Sequence, residues 1–157
     1  NMIVKNQTKI SARELNPLID WVTENFQPLV DGGVEIHIRQ FNGKGDMFGI
    51  SFAGFDLRIE KYCKEIRHGH LIHDTEETTK QLAIVYITKH PEKYEAFKDM
   101  TWQEAFVTTL VHELRHLWYD RKLKGRDEED DAEHYEKRAL TKYRKYKRES
   151  NKTVNPR

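Results

Sequence analysis

Three side chains in one short window could do chemistry together: His112, Glu113 and His116, in the run His112-Glu113-Leu114-Arg115-His116. On an α-helix, residues four apart lie on one face, about 40° apart in angle and about 6 Å apart along the axis. Two imidazoles so placed can hold one metal ion from the same side. Glu113 follows the first histidine, where its carboxylate can reach a water on that metal and take its proton. The chemistry this spacing suits is metal-assisted hydrolysis, with Zn2+ the expected ion. Such a site also needs a third ligand, a place for substrate and a scaffold, which the rest of the chain has to provide.

The spacing predicts a helix over 101–119 to carry the pair. Thr101 and Glu104 form a capping box at its start, and Ala105, Phe106, Thr109, Leu110, Leu114 and Leu117 make an apolar stripe along it. Arg115 takes an internal position that is usually uncharged in such motifs, so it must point to solvent or pair with an acid. Gln81 to Thr88 is the most apolar strand candidate. As an edge strand beside the cleft it could bind an extended peptide by main-chain hydrogen bonds.

The third ligand is expected from a second helix over 127–148. There Ala132, Tyr135, Ala139, Tyr143 and Tyr146 recur at helical spacing and mark an inward face. One turn back from Ala132, that face is headed by Glu129, with Glu128 beside it. Glu129 is the expected metal ligand. Acids in a first turn also suit the positive end of the helix dipole.

These elements resemble the gluzincin group of zinc metallopeptidases, in particular its small minimal-fold members and the ImmA/IrrE-like proteins. The likeness runs from about Gln81 to Ala139 and rests on the strand, on His112-Glu113-Leu114-Arg115-His116, and on Glu129-Asp130-Asp131-Ala132-Glu133. It implies His112 and His116 as zinc ligands, Glu113 as general base and Glu129 as third ligand. Glu133 falls where the group often has an acid hydrogen-bonded to a zinc-bound histidine. Twelve residues separate His116 from Glu129, a short connection that keeps Asp130 and Glu133 open as alternative ligands. The fold class implied is α+β: a minimal zincin-like fold with a small, mostly antiparallel sheet packed on the active-site helix.

Upstream, Ser11 and Glu14 form a capping box for a scaffold helix over 11–26. Val34, Ile36 and Ile38 alternate with Glu35, His37 and Arg39, the pattern of a half-buried strand with His37 on the solvent side. After a turn at 42–46, residues 48–52 read as the returning strand of a hairpin, and 55–59 continue the alternation. The sheet region is thus expected over 34–88. His68, His70 and His73 cluster without the spacing of a structural zinc site. They join Tyr119, His134 and Tyr135 as unranked candidates to stabilise an oxyanion.

The chain has 157 residues, 37% hydrophobic and 34% charged, which fits one domain with a modest core and charged helix faces. Its net charge of +1 hides a split: seven acids between Asp127 and Glu136, then nine Lys or Arg from Lys137 to Arg157 with only Glu149 against them. Cys63 is the sole cysteine, and no apolar run approaches the roughly 20 residues that span a bilayer, so a cytoplasmic protein without a membrane partner is expected. Residues 150–157 read as a disordered tail. The function expected is hydrolysis of peptide bonds in a protein or peptide substrate. Two rivals remain: a nucleic-acid-associated protein using the basic 137–148 stretch, and a catalytically silent zinc-binding module.

Overall fold

Side-chain caps start two of the helices, and the second is reciprocal. Ser11 Oγ accepts from the Glu14 backbone N–H at 3.3 Å. Thr101 Oγ1 accepts from the Glu104 N–H at 3.1 Å, while the Glu104 carboxylate accepts from the Thr101 N–H at 2.8 Å. In the computed structural model, residues 2–30, 33–43, 47–53, 81–122 and 128–154 are described. In chain order they form β1 (Ile3–Asn6), α1 (Ala12–Asn25), the short α2 (Gln27–Val30), β2 (Val34–Gln40), β3 (Gly49–Ala53) and β4 (Gln81–Ile87). Two 3-10 turns (Pro91–Lys93 and Glu95–Phe97) lead into α3 (Trp102–Lys122) and α4 (Glu128–Val154). The architecture is α+β, with four helices and a mixed four-stranded sheet among the described residues.

The strand order is β1-β2-β4-β3, with β1 and β4 parallel to β2 and only β3 antiparallel to β4. The expected mostly antiparallel sheet is therefore corrected to a mostly parallel one. The expected hairpin does not form either, because β4 lies between β2 and β3. β4 is also not an edge strand. Leu82, Ala83, Ile84, Val85 and Ile87 are all buried, so this strand gains most by taking a central place with both faces covered. Among the described residues, the edge beside it belongs to β3. β1 carries four exposed residues and no hydrophobic alternation, so only its pairing with β2 reveals it.

One face of the sheet, with Val34, Ile36, Ile38, Ala83, Val85 and Ile87, packs on the helices. α3 contributes Phe106, Val107, Leu110, Val111, Leu114 and Leu117 to that core, all 2% exposed or less. α1 adds Leu15, Leu18, Ile19, Trp21 and Val22, and α4 adds Ala139 and Tyr143. A second, aromatic cluster joins Phe41, Phe48 and Phe97, with the Phe48 and Phe97 ring centroids 4.4 Å apart. α4 is longer than expected and carries 150–154 as helix, which corrects the disordered tail over those residues. Arg144 ties α4 to the start of α3 through the Glu104 carboxylate at 2.6 Å and the Asp99 carbonyl at 2.8 Å.

His37 is not on a solvent face. It is fully buried, and Glu35 and Arg39 on either side of it are largely buried, because both faces of β2 are covered. Glu35 sits 3.1 Å from Lys5 and 3.6 Å from the His37 ring, the latter just beyond hydrogen-bond reach. The adjacent His37 and Lys5 outweigh burial and lower the Glu35 pKa to about 2. A carboxyl depressed from 4.5 to about 2 contributes stability that is complete above pH 4.5 and is lost as pH falls towards 2. Glu35→Gln should therefore cost on the order of 3 kcal/mol at pH 7, roughly half of that at pH 3, and nothing near pH 1. Urea unfolding of the two proteins across this range measures the difference, and a pH-independent gap would contradict the assignment.

Candidate metal centre

His112, His116 and Glu129 meet where α3 and α4 face each other, and their donor atoms all lie within 4.8 Å of one another. His112 Nε2 is 3.1 Å from His116 Nε2. The Glu129 carboxylate spans the pair, with Oε1 at 3.0 Å from His112 Nε2 and Oε2 at 2.9 Å from His116 Nε2. A tetrahedral zinc with metal–nitrogen bonds of about 2.0–2.1 Å sets its ligand atoms about 3.3 Å apart, so this donor set fits such an ion.

The outer nitrogens are held as well. His112 Nδ1 faces Glu136 Oε1 at 3.1 Å, and His116 Nδ1 faces Glu128 Oε1 at 2.7 Å. A carboxylate only accepts, so each Nδ1 must be the donor, and a neutral ring then presents Nε2 as a bare lone pair. Two lone pairs and a carboxylate converge on one point. That arrangement demands positive charge, either a proton on one ring or a metal cation. For His112, burial is the largest influence and favours the neutral ring. The Glu136 hydrogen bond and the charges of Glu113, Glu136 and Glu129 together outweigh it and raise the pKa.

Glu113 lies on the β3 side of the same helix and is buried. Burial raises its pKa above the usual carboxylate range, and the charge of Glu129 adds to that, while the two histidines and the Ser51 hydroxyl hold it down in part. Gly49 makes this possible. A Cβ at that position would stand 2.5 Å from Glu113 Oε2, so only glycine lets β3 approach the carboxylate so closely. Glu113, His112 and Glu129 share a cleft of about 280 Å3, whose apolar wall is Met47, Phe48 and Phe97.

Arg115 takes the second of its two options and pairs with an acid. Its guanidinium binds the Asp131 carboxylate through two nitrogens, Nη2 at 3.1 Å from Oδ1. The same group stacks 3.7 Å from the Trp118 ring centre and 3.9 Å from that of Tyr135. A charge inside the motif thus becomes a clamp between α3 and α4.

Asp130 and Glu133 are exposed and neither joins the three converging donors. The acids on the outer histidine nitrogens are Glu128 and Glu136, not Glu133. Glu136 was legible, since it stands seven residues, or about two turns, beyond Glu129 on the same face. Gly49 and Ser51 carried no signal, because only strand placement brings them to Glu113. His134 and Tyr135 line a different cavity rather than the cleft with Glu113. The Tyr119 side chain, the 55–59 strand candidate, Cys63 and the histidines at 68–73 lie outside the described residues.

No protein-family model matches this chain, and no curated protein matches it either. The functional reading therefore stands on the geometry. Among the described residues, no helix is long and apolar enough to cross a membrane.

Proposed function

We propose that this chain is a zinc-dependent peptidase of minimal zincin-like fold. The observation that carries the reading is the convergence of His112 Nε2, His116 Nε2 and Glu129 on one point, with Glu113 buried in the cleft beside it. Zinc bound there would supply Lewis acidity, lowering the pKa of water towards about 7 and polarising a substrate carbonyl. Glu113 takes the proton from the attacking water and returns it to the leaving amine. Its buried, polarised setting suits a group that must hold a proton between those two events. Glu128 and Glu136 fix the imidazole tautomers and keep both Nε2 atoms turned inward. A purely structural zinc site would have no use for a carboxylate held where Glu113 is, which favours catalysis over a silent zinc module.

Substrate placement moves from β4 to β3. Among the described residues β3 pairs with β4 on one side only, and Gly49 and Ser51 bring it against Glu113. An extended peptide added along this strand would pass the cleft in register with the sheet.

Zinc quantification on the purified chain tests the proposal. The wild type should hold about one ion per chain and should cleave unfolded protein substrates. Glu129→Ala should lose zinc strongly, and Asp130→Ala and Glu133→Ala should keep it. Glu136→Ala should weaken zinc roughly 10–100-fold, as expected for a carboxylate that orients a ligand. A wild-type protein that takes up no zinc would end the proposal.

A further inference from the structure

A second cavity, larger than the cleft that holds Glu113, lies between α1, α3 and α4. It measures about 890 Å3, within the range of ligand-binding pockets. Its floor is aromatic, with buried Phe26 following α1 and half-buried Trp118 on α3 and Tyr135 on α4, the last two each stacked on one side by Arg115. Its rim carries Lys137, Arg138, Lys142 and Lys145, and no aspartate or glutamate lines it.

The positive charge outruns the cavity. Arg138, Lys142, Lys145, Arg148 and Lys152 follow one another at spacings of four, three, three and four residues, and all five are exposed. At 1.5 Å per residue this stripe runs about 21 Å along one flank of α4. Arg144 is not part of it, being engaged by Glu104 and the Asp99 carbonyl. From Lys137 to the end of α4 the only acid is Glu149.

We propose that this groove binds single-stranded nucleic acid, with phosphates along the α4 stripe and bases over the aromatic floor. Regularly spaced cations beside a flat apolar floor are the chemistry that single strands use, and it tolerates any base sequence. A mononucleotide would leave the part of the stripe beyond the cavity unused. An acidic peptide would match the charge of the rim but bring no flat apolar group to the aromatic side of the cavity. The inference does not depend on zinc or on catalysis.

Fluorescence anisotropy of labelled 20-residue oligo-dT and oligo-U, with the full chain, tests it. With about four phosphates neutralised, the salt slope should be about −3, so raising salt from 50 to 200 mM should weaken binding roughly 50-fold. The triple variant Arg138→Glu, Lys142→Glu, Lys145→Glu should lose at least 10-fold in affinity at 50 mM salt. A control with the same charge change elsewhere, Lys9→Glu, Lys93→Glu, Lys98→Glu, should stay within about threefold. The neutral triple Arg138→Gln, Lys142→Gln, Lys145→Gln should show the same loss in weaker form and guards against misfolding of the charge reversal. Absence of binding at 50 mM salt would overturn the proposal. So would equal weakening by the groove and control variants, or displacement of the oligonucleotide by polyglutamate as readily as by unlabelled oligonucleotide.

Discussion

Glu113→Gln should lower peptide hydrolysis by roughly 10^2–10^4-fold while leaving zinc content unchanged, the range expected when a positioned general base is removed. Glutamine has nearly the same shape and can still accept the Ser51 hydrogen bond, so Gly49 and β3 keep their close approach. It cannot take a proton. Because Glu113 is a buried acid whose pKa burial already raises, its neutral replacement should not destabilise the fold. The effect should therefore appear in kcat with the unfolding curve unmoved. Hydrolysis by the variant at the wild-type rate would remove Glu113 from the mechanism. A parallel loss of zinc would instead show that the carboxylate is part of the metal site.

Arg115→Ala should cost about 3 kcal/mol of stability, the lower end of the range for breaking a buried ion pair from one side. The arginine is 8% exposed, binds Asp131 through two nitrogens and fills the space between Trp118 and Tyr135. Its removal leaves a carboxylate without its partner and a gap between α3 and α4. Asp131 keeps about a quarter of its side chain in water, which holds the estimate at the low end. Since Glu129 and His116 sit on the same two helices, zinc affinity should fall with stability. The double variant Arg115→Met, Asp131→Leu should recover most of the stability, because apolar groups of similar volume need no partner. Urea unfolding of the two single variants and the double variant measures the coupling. A change of less than about 0.5 kcal/mol in Arg115→Ala would show that the pair is no more than a surface bridge.

Local signals carried the helices well. The Ser11 cap, the Thr101–Glu104 capping box, the apolar stripe of α3 and the inward face of α4 depend on spacings inside one element, where geometry is fixed by the helix itself. The same logic placed Glu129 opposite the histidines, because a carboxylate one turn before Ala132 must share its face. The sheet was less legible. Alternation told which residues of β2 share a face, but not that the polar face of Glu35, His37 and Arg39 is covered too. The turn-like residues at 42–46 suggested adjacent strands, although strand order is a long-range choice that a turn does not make.

The sequence by itself determined the histidine pair, the carboxylate beside it and the helix faces that bring an acid to meet them. Those follow from 3.6 residues per turn and from where the apolar residues fall. Only the tertiary structure decided that Glu128 and Glu136 hold the outer nitrogens, that Arg115 locks onto Asp131, and that β3 rather than β4 lies along the cleft. Each of these depends on how two separate elements are set against each other. Packing the most apolar strand between β2 and β3 brings Gly49 against Glu113, which no local spacing encodes.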